Sequence, residues 1–220
     1  VTFGDAAAAV VLSKVDDTVK FGLIDIVNLH DQNMLNYVGV DHKRNLYMDD
    51  SLIKDRATIN LPAAANKCLK NSKWNASDVD WLVPHQTGNV ILLPSAKEIG
   101  IDANKVFLGG QNLYGNVSGA TVPLSLCMMK NQGLLQENHR ILSATAGVGG
   151  NFGAFSYVCG SEKTKSKTPT ATFEGKKVLI LGASGNVGLN VAEKLSNAGA
   201  ELYLQGNNNI SKLSNIKNAK

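Results

Sequence analysis

Two polar residues stand where an α/β chain could put them to chemical use. The run Trp81-Leu82-Val83-Pro84-His85-Gln86 ends an apolar stretch on a histidine, and a helical pattern opens at about Gly88. In open α/β sheets ligands collect at that edge, outside the carboxyl ends of the strands. Further on, Tyr114-Gly115-Asn116-Val117-Ser118-Gly119-Ala120 sets an asparagine among glycines immediately before another apolar helix. His85 and Asn116 are 31 residues apart, the length of one helix plus a strand and loop, so both side chains can return to one rim. A histidine gives or takes a proton according to its tautomer, whereas an asparagine keeps its N–H donors at every pH. Taken singly each has a plainer reading, His85 as a core histidine and Asn116 as a helix cap. The pairing is what points to chemistry.

A third constellation uses backbone rather than side chains. Val178-Leu179-Ile180-Leu181-Gly182-Ala183-Ser184-Gly185-Asn186-Val187-Gly188 places three glycines between an apolar strand and an amphipathic helix. Such a turn lets the helix N-terminus accept a dinucleotide pyrophosphate, held here by Gly182, Ser184, Gly185, Asn186, Val187 and Gly188. After the second strand the sequence Gln205-Gly206-Asn207 has no acidic residue for the ribose hydroxyls of NAD, which favours NADP. The plainer alternative is a nucleotide-fold fragment that binds nothing on its own.

The elements that must position these residues follow from apolar periodicity. Strands are expected at Ala6–Ser13, Phe21–Asn28, Val79–Val83, Ile141–Ala146 and Ala154–Val158, with helices at about Asp55–Asn71, Gly88–Ile99 and Ser118–Gln132. Buried apolar strands separated by helices imply a layered α/β architecture whose sheet is covered on both faces. Residues 161–174, rich in Lys, Thr and Ser, read as a linker. Beyond it, Lys177–Leu181, Asn186–Ala198 and Glu201–Leu204 give strand, helix and strand, the opening of a doubly wound domain over 175–220.

Composition removes other classes. The 220 residues are 44% hydrophobic and 18% charged, an ordinary globular balance. The net charge of +4 is not gathered into a patch, since the tightest basic cluster, Lys163, Lys165 and Lys167, falls in the linker; no nucleic-acid partner is expected. Cys68, Cys127 and Cys159 have neither C-x-x-C spacing nor paired histidines, so no metal site or disulfide framework is expected, and a reducing, cytoplasmic setting fits best. The longest apolar runs, such as Ala6–Leu12, fall short of the roughly 18 residues a membrane span needs. No basic leader precedes an apolar stretch, and the missing initiator Met places the expected true N-terminus upstream.

The segments around His85 and Asn116 resemble the V-P-H-Q and G-N-x-S motifs of β-ketoacyl-acyl carrier protein synthase III enzymes, in the thiolase-like superfamily. Phe3–Leu12, Asn75–Gln86 and Gly147–Phe155 are similar to further segments of the same family in the same order, over about residues 1–160. The resemblance implies the C-terminal half of a layered αβαβα fold. It implies a decarboxylative Claisen condensation: an acyl group passes from coenzyme A to a cysteine, and malonyl-acyl carrier protein supplies the carbon nucleophile. His85 and Asn116 would then donate to the thioester oxygen as carbon dioxide leaves, a backbone N–H at Gly149 or Gly150 would serve acyl transfer, and condensation would need no cofactor. Acyl-coenzyme A and acyl carrier protein would be the partners, and the full-length protein a homodimer.

Departures matter as much. The family's nucleophilic cysteine belongs to the preceding half, and the three cysteines here are expected to be free buried thiols, so the fragment alone would be inactive. Val90 stands where a basic residue often meets the carrier, Thr87-Gly88 and Val117 vary the motifs, and Asn151 interrupts the glycine-glycine-aromatic spacing. Residues 175–210 resemble the start of short-chain dehydrogenase/reductase domains, which implies a condensing domain fused to a ketoreductase. The competing reading is an NADP-dependent reductase carrying a degenerate thiolase-like half for docking or dimerisation. A further one is a truncated product with a structural role alone.

Overall fold

The structure is a computed structural model that describes residues 3–12, 20–160, 173–206, 209–217 and 219. The chain divides into two compact units, Val1–Thr164 and Lys165–Lys220. The expected linker lies outside the described residues over 161–172.

In the first unit the elements run β1 (Gly22–His30), β2 (Val38–Val40), β3 (Leu46–Met48), α1 (Asp50–Ser72), β4 (Trp81–Leu82), α2 (Asn89–Ile99), α3 (Gly109–Tyr114), α4 (Thr121–Asn131), β5 (Arg140–Gly147) and β6 (Asn151–Val158). The main sheet has the order β1-β6-β5-β4. Its β1–β6 and β5–β6 pairs are antiparallel and β4 runs parallel to β5. Strands β2 and β3 form a separate antiparallel hairpin.

Helix α1 begins five residues before the expected Asp55 because Asp49 caps it, its Oδ1 accepting from the Leu52 N–H at 3.1 Å. It ends at Lys73, a left-handed residue whose N–H returns to the carbonyls of Leu69 and Lys70. The buried stripe Leu61, Ala64, Ala65 and Cys68 packs with Val27, Leu142, Ala144, Phe152 and Ala154 of the sheet. Burying such side chains stabilises by about 25 cal/mol per Å² of apolar surface removed from water. Across the sheet, Val122 and Met129 of α4 pack with Val83, Phe107, Ile141 and Cys159. This second layer stops short of β1, where Ile26 is 59% exposed, so the expectation of a sheet covered on both faces is corrected at that edge. Trp74 packs on the first cluster, with the Arg140 guanidinium 5.4 Å from its ring centroid, and Trp81 packs on the second.

One expected strand is absent. Of Ala6–Ser13, the described residues 6–12 form no strand, and Val11 is 91% exposed. The nearest pairing is a single bridge from Phe3 to Asn116. Strand propensity is realised only against a partner strand, and none lies alongside this run among the described residues. Expected strand Val79–Val83 contracts to Trp81–Leu82, although the Val83 and His85 N–H groups continue the ladder to the carbonyls of Leu142 and Ala144.

In the second unit β7 (Lys177–Leu181), α5 (Asn186–Asn197) and β8 (Glu201–Gln205) follow the expected order, and β7 and β8 pair in parallel. Ala192, Ala200, Leu202 and Ile216 form its core. Among the described residues no helix is long and apolar enough to cross a membrane.

Candidate active site

His85 is placed by backbone. Its N–H donates to the Ala144 carbonyl at 2.9 Å, which fixes the residue at the point where β4 leaves the sheet. Burial holds the imidazole below its ordinary pKa, because a charged ring there would lose its hydration. The ring is therefore neutral near pH 7, with one N–H to give. It meets no hydrogen-bond partner among the described residues.

Asn116 follows α3. Its Oδ1 accepts from the Ser118 N–H at 2.9 Å, and its carbonyl accepts from the Gly4 N–H at 3.0 Å. A backbone donor facing Oδ1 fixes the amide orientation, and the Nδ2 donors are left without a protein acceptor among the described residues.

The turn Val148-Gly149-Gly150 joins β5 to β6. The Gly150 carbonyl accepts from the Asp31 N–H at 2.8 Å, and a Cβ at Gly150 would come within 2.1 Å of the Asp31 carbonyl oxygen. Only glycine fits there. Asp31 is itself tied down by Asn33 and Asn60, with Arg56 at 3.6 Å, and the hydrogen bond from Asn60 chiefly holds its carboxyl below the usual range. Asn151, which breaks the glycine run, donates from Nδ2 to the Val148 carbonyl and faces His30 through Oδ1. The N–H groups of Gly149 and Gly150 meet no protein acceptor among the described residues.

His85, Asn116, Gly149 and Gly150 all line one cavity of about 1220 Å³. Its walls are mostly apolar, with Met34, Val38, Leu46, Met48, Ile91 and Phe152 among them. It exceeds the usual range for a drug-sized ligand, about 300–1,000 Å³, so it has room for an extended chain. Four groups with unspent N–H donors, His85, Asn116, Gly149 and Gly150, border one mostly apolar cavity, an arrangement that suits a developing oxyanion.

One residue escaped the sequence reading. Gln86 is 1% exposed and makes three hydrogen bonds: Nε2 donates to the Pro84 carbonyl at 2.9 Å and to the Phe107 carbonyl at 3.0 Å, and Oε1 accepts from the Gln111 N–H at 3.1 Å. The available signal was its place inside an apolar strand end, where a glutamine must find partners. Beside it, the Thr87 Oγ1 is buried with no partner among the described residues.

The cysteines divide. Cys68 and Cys159 are buried and desolvation raises both thiols, Cys159 to about 11. Cys127 is exposed on α4, correcting the expectation of a buried thiol, because the helix turns that position away from the sheet while Met129 faces it. Cavity-lining residues include none of the three. Among the described residues no group of three or more His, Cys, Asp or Glu could hold a metal ion.

In the second unit, Gly182, Ser184 and Gly185 lie in the turn from β7 into α5, Val187 and Gly188 lie in the first turn of α5, and the Asn186 side chain lies outside the described residues. A Cβ at Gly188 would come within 2.3 Å of the Gly182 carbonyl oxygen, so the helix packs directly on the turn. The Gly182 N–H donates to Gln205 Oε1 at 3.2 Å, which ties the turn to the end of β8. Asn207 lies outside the described residues.

Comparison with known proteins places the first unit. Residues 69–158 match the family described as 3-oxoacyl-[acyl-carrier-protein] synthase III C terminal. The β-ketoacyl-[acyl-carrier-protein] synthase III of Vesicomyosocius okutanii is 32% identical over 159 residues, covering 70% of this chain and 49% of the relative. That of Neisseria meningitidis is 33% identical over 161 residues, covering 69% and 48%. The solved synthase III of Thermus thermophilus superposes with a TM-score of 0.63 at 21% identity, over 68% of this chain and 49% of the other, which bears on the fold alone. The chain spans about half the length of the curated relatives it matches. The first unit is similar over residues 69–158, and through its mixed α/β fold, to the C-terminal part of 3-oxoacyl-[acyl-carrier-protein] synthase III enzymes.

Proposed function

We propose that the first unit supplies the decarboxylating side of a condensing-enzyme active site, in an acyltransferase that extends an acyl thioester with malonyl-acyl carrier protein. The observation that carries this is the convergence of His85 and Asn116, each with an N–H unspent, on one apolar cavity. When a malonyl thioester loses carbon dioxide, the electrons of the breaking C–C bond form an enolate whose charge lies on the thioester oxygen. Donors aimed at that oxygen bind the transition state better than the substrate, and so accelerate the step. The neutral His85 donates without bringing a charge that would hold the malonyl carboxylate in place. The carbanion then attacks an acyl thioester, whose own oxyanion is served by a backbone N–H at Gly149 or Gly150, and the tetrahedral adduct collapses to expel a thiolate.

That thiolate belongs to a cysteine outside this chain. Cys68 and Cys159 are poor nucleophiles with raised pKa values, and Cys127 lies away from the cavity. Acyl-coenzyme A and acyl carrier protein are the proposed partners, the homodimer the proposed assembly of the full-length protein, and the cytoplasm its proposed location. Condensation itself draws on no cofactor. In the polypeptide that carries these residues, His85→Ala or Asn116→Ala is expected to slow carbon dioxide release from a malonyl thioester by about 10² or more, the scale of a lost oxyanion donor. Unchanged release in both variants would sink the assignment.

For the second unit we propose the start of a short-chain reductase module that reduces the β-keto product. Support comes from its parallel strands and the glycine turn packed under α5. The backbone of Ser184–Gly188 would take the pyrophosphate of NADP, and the cofactor would supply hydride. Tight NADPH binding by a polypeptide that shows no decarboxylation would favour the other reading, a reductase with a degenerate thiolase-like docking half.

A further inference from the structure

We propose that Gln86 is a positioning residue for the decarboxylation site, and that with Gln111 it sets the spacing of His85 and Asn116. The proposal rests on the reading of the first unit as a condensing enzyme. It starts from a difficulty in the chain path: His85 stands at the start of one loop, Asn116 at the end of another, and neither side chain makes a bond that ties it to the other. Two donors serve one oxygen only if their separation is held, and a misplacement of about 1 Å can cost 10² in rate.

The two glutamines supply the tie. From the His85 side, Gln86 crosses to the Phe107 carbonyl and to the Gln111 N–H, which lies in the first turn of α3. In the opposite direction, Gln111 Oε1 accepts from the Gly88 N–H at 3.2 Å and its Nε2 donates to Asn89 Oδ1, where α2 begins. Each loop is thus gripped by a side chain from the other. Five residues after Gln111, past the end of α3, the chain reaches Asn116. Gly110 allows the close approach, since a Cβ there would lie 2.9 Å from Ser125 Oγ and 3.6 Å from Gln86 Cγ. No shorter amide reaches all three partners, and an apolar side chain would strand a buried N–H and two carbonyls.

A positioning role predicts coupling. In the polypeptide that carries these residues, Gln86→Met is expected to lower kcat for malonyl decarboxylation about tenfold with KM changed less than twofold. In an Asn116→Ala background the same substitution should cost nothing further, because the group it positions is gone. An equal loss in both backgrounds, or none in either, would overturn the proposal. Gln111→Ala gives a second variant that leaves the Gln86 bond to the Gln111 backbone intact, and its loss should be smaller and likewise vanish with Asn116→Ala; a loss that persists counts against the coupling.

A readout free of turnover separates this proposal from the functional one. In ¹⁵N-labelled chain, the His85 ring and Asn116 amide resonances should both move in Gln86→Met and stay in place in Ile101→Ala, a core truncation away from the cavity. Unmoved resonances in Gln86→Met overturn the positioning role. If His85→Ala and Asn116→Ala leave decarboxylation unchanged, the condensing assignment fails, and the resonances alone decide whether the glutamines join the two loops.

Discussion

The two glycine turns of this chain use the same residue for opposite ends. At Val148-Gly149-Gly150 the glycines are architecture around side-chain chemistry: Gly150 presses on the Asp31 carbonyl, and His85 and Asn116 line the same cavity. At Gly182–Gly188 no histidine or asparagine pair gathers among the described residues, and the segment offers backbone and a helix end. A glycine motif therefore says that main chain must come close to something. What it comes close to has to be read from its neighbours. In the first unit the neighbour is a loop of the same domain, and in the second it is the turn's own carbonyl.

That difference can be broken by adding single methyl groups. The largest effect is expected for Gly150→Ala, where contact at 2.1 Å with backbone combines with a φ of +75°; denaturant titration should show a loss of about 3 kcal/mol or more. Gly188→Ala should cost less, about 2 kcal/mol, because alanine's better helix propensity offsets part of the clash with Gly182. Its signature should be confined to resonances of α5 and β7. At Gly149 a Cβ would meet only the Asn151 amide at 3.6 Å, so Gly149→Ala should cost only the left-handed backbone, about 1 kcal/mol. Equal losses at Gly149 and Gly150 would show that conformation, not the contact with Asp31, sets the requirement.

The gentlest test uses pH. Burial lowers the His85 pKa in the folded state, so on acidification through about pH 6.5 the unfolded chain takes up the proton first and stability falls. His85→Gln should flatten that part of the profile in melting experiments between pH 7 and 5. An unchanged slope would place the imidazole in water rather than in the cavity wall.

The convergence of the candidate residues on one cavity was legible because they sit at the punctuation of the fold. His85 follows an apolar run and Asn116 stands among glycines, so strand end and helix start were visible in the letters. The helices α2 and α5 and the strand β7 were placed within a residue or two for the same reason. Less visible was whatever depends on partners distant in sequence. Gln86 carries the same letter as a surface glutamine until the Phe107 carbonyl is brought beside it. The run Ala6–Leu12 has strand composition but no neighbour among the described residues, and Cys127 sits on an apolar helix yet on its outward side. The β2–β3 hairpin went unseen because its loop, Asp41 to Asn45, has no glycine, and Asp41 closes it instead by accepting from the Lys43 and Asn45 N–H groups. The early start of α1 was hidden in a polar run whose Asp49 proved to be the cap.

That hairpin has a consequence for how such a cavity can diversify. Val38, Leu46 and Met48 line the wall, yet among the described residues their two strands pair only with each other and belong to a different sheet from the one that holds His85 and the Gly149–Gly150 turn. Substitutions there change the depth and girth of the chamber without pulling on the ladder that fixes the donors. The shape of the chamber and the placement of His85 are thus set by different sheets, so one can drift while the other stands still.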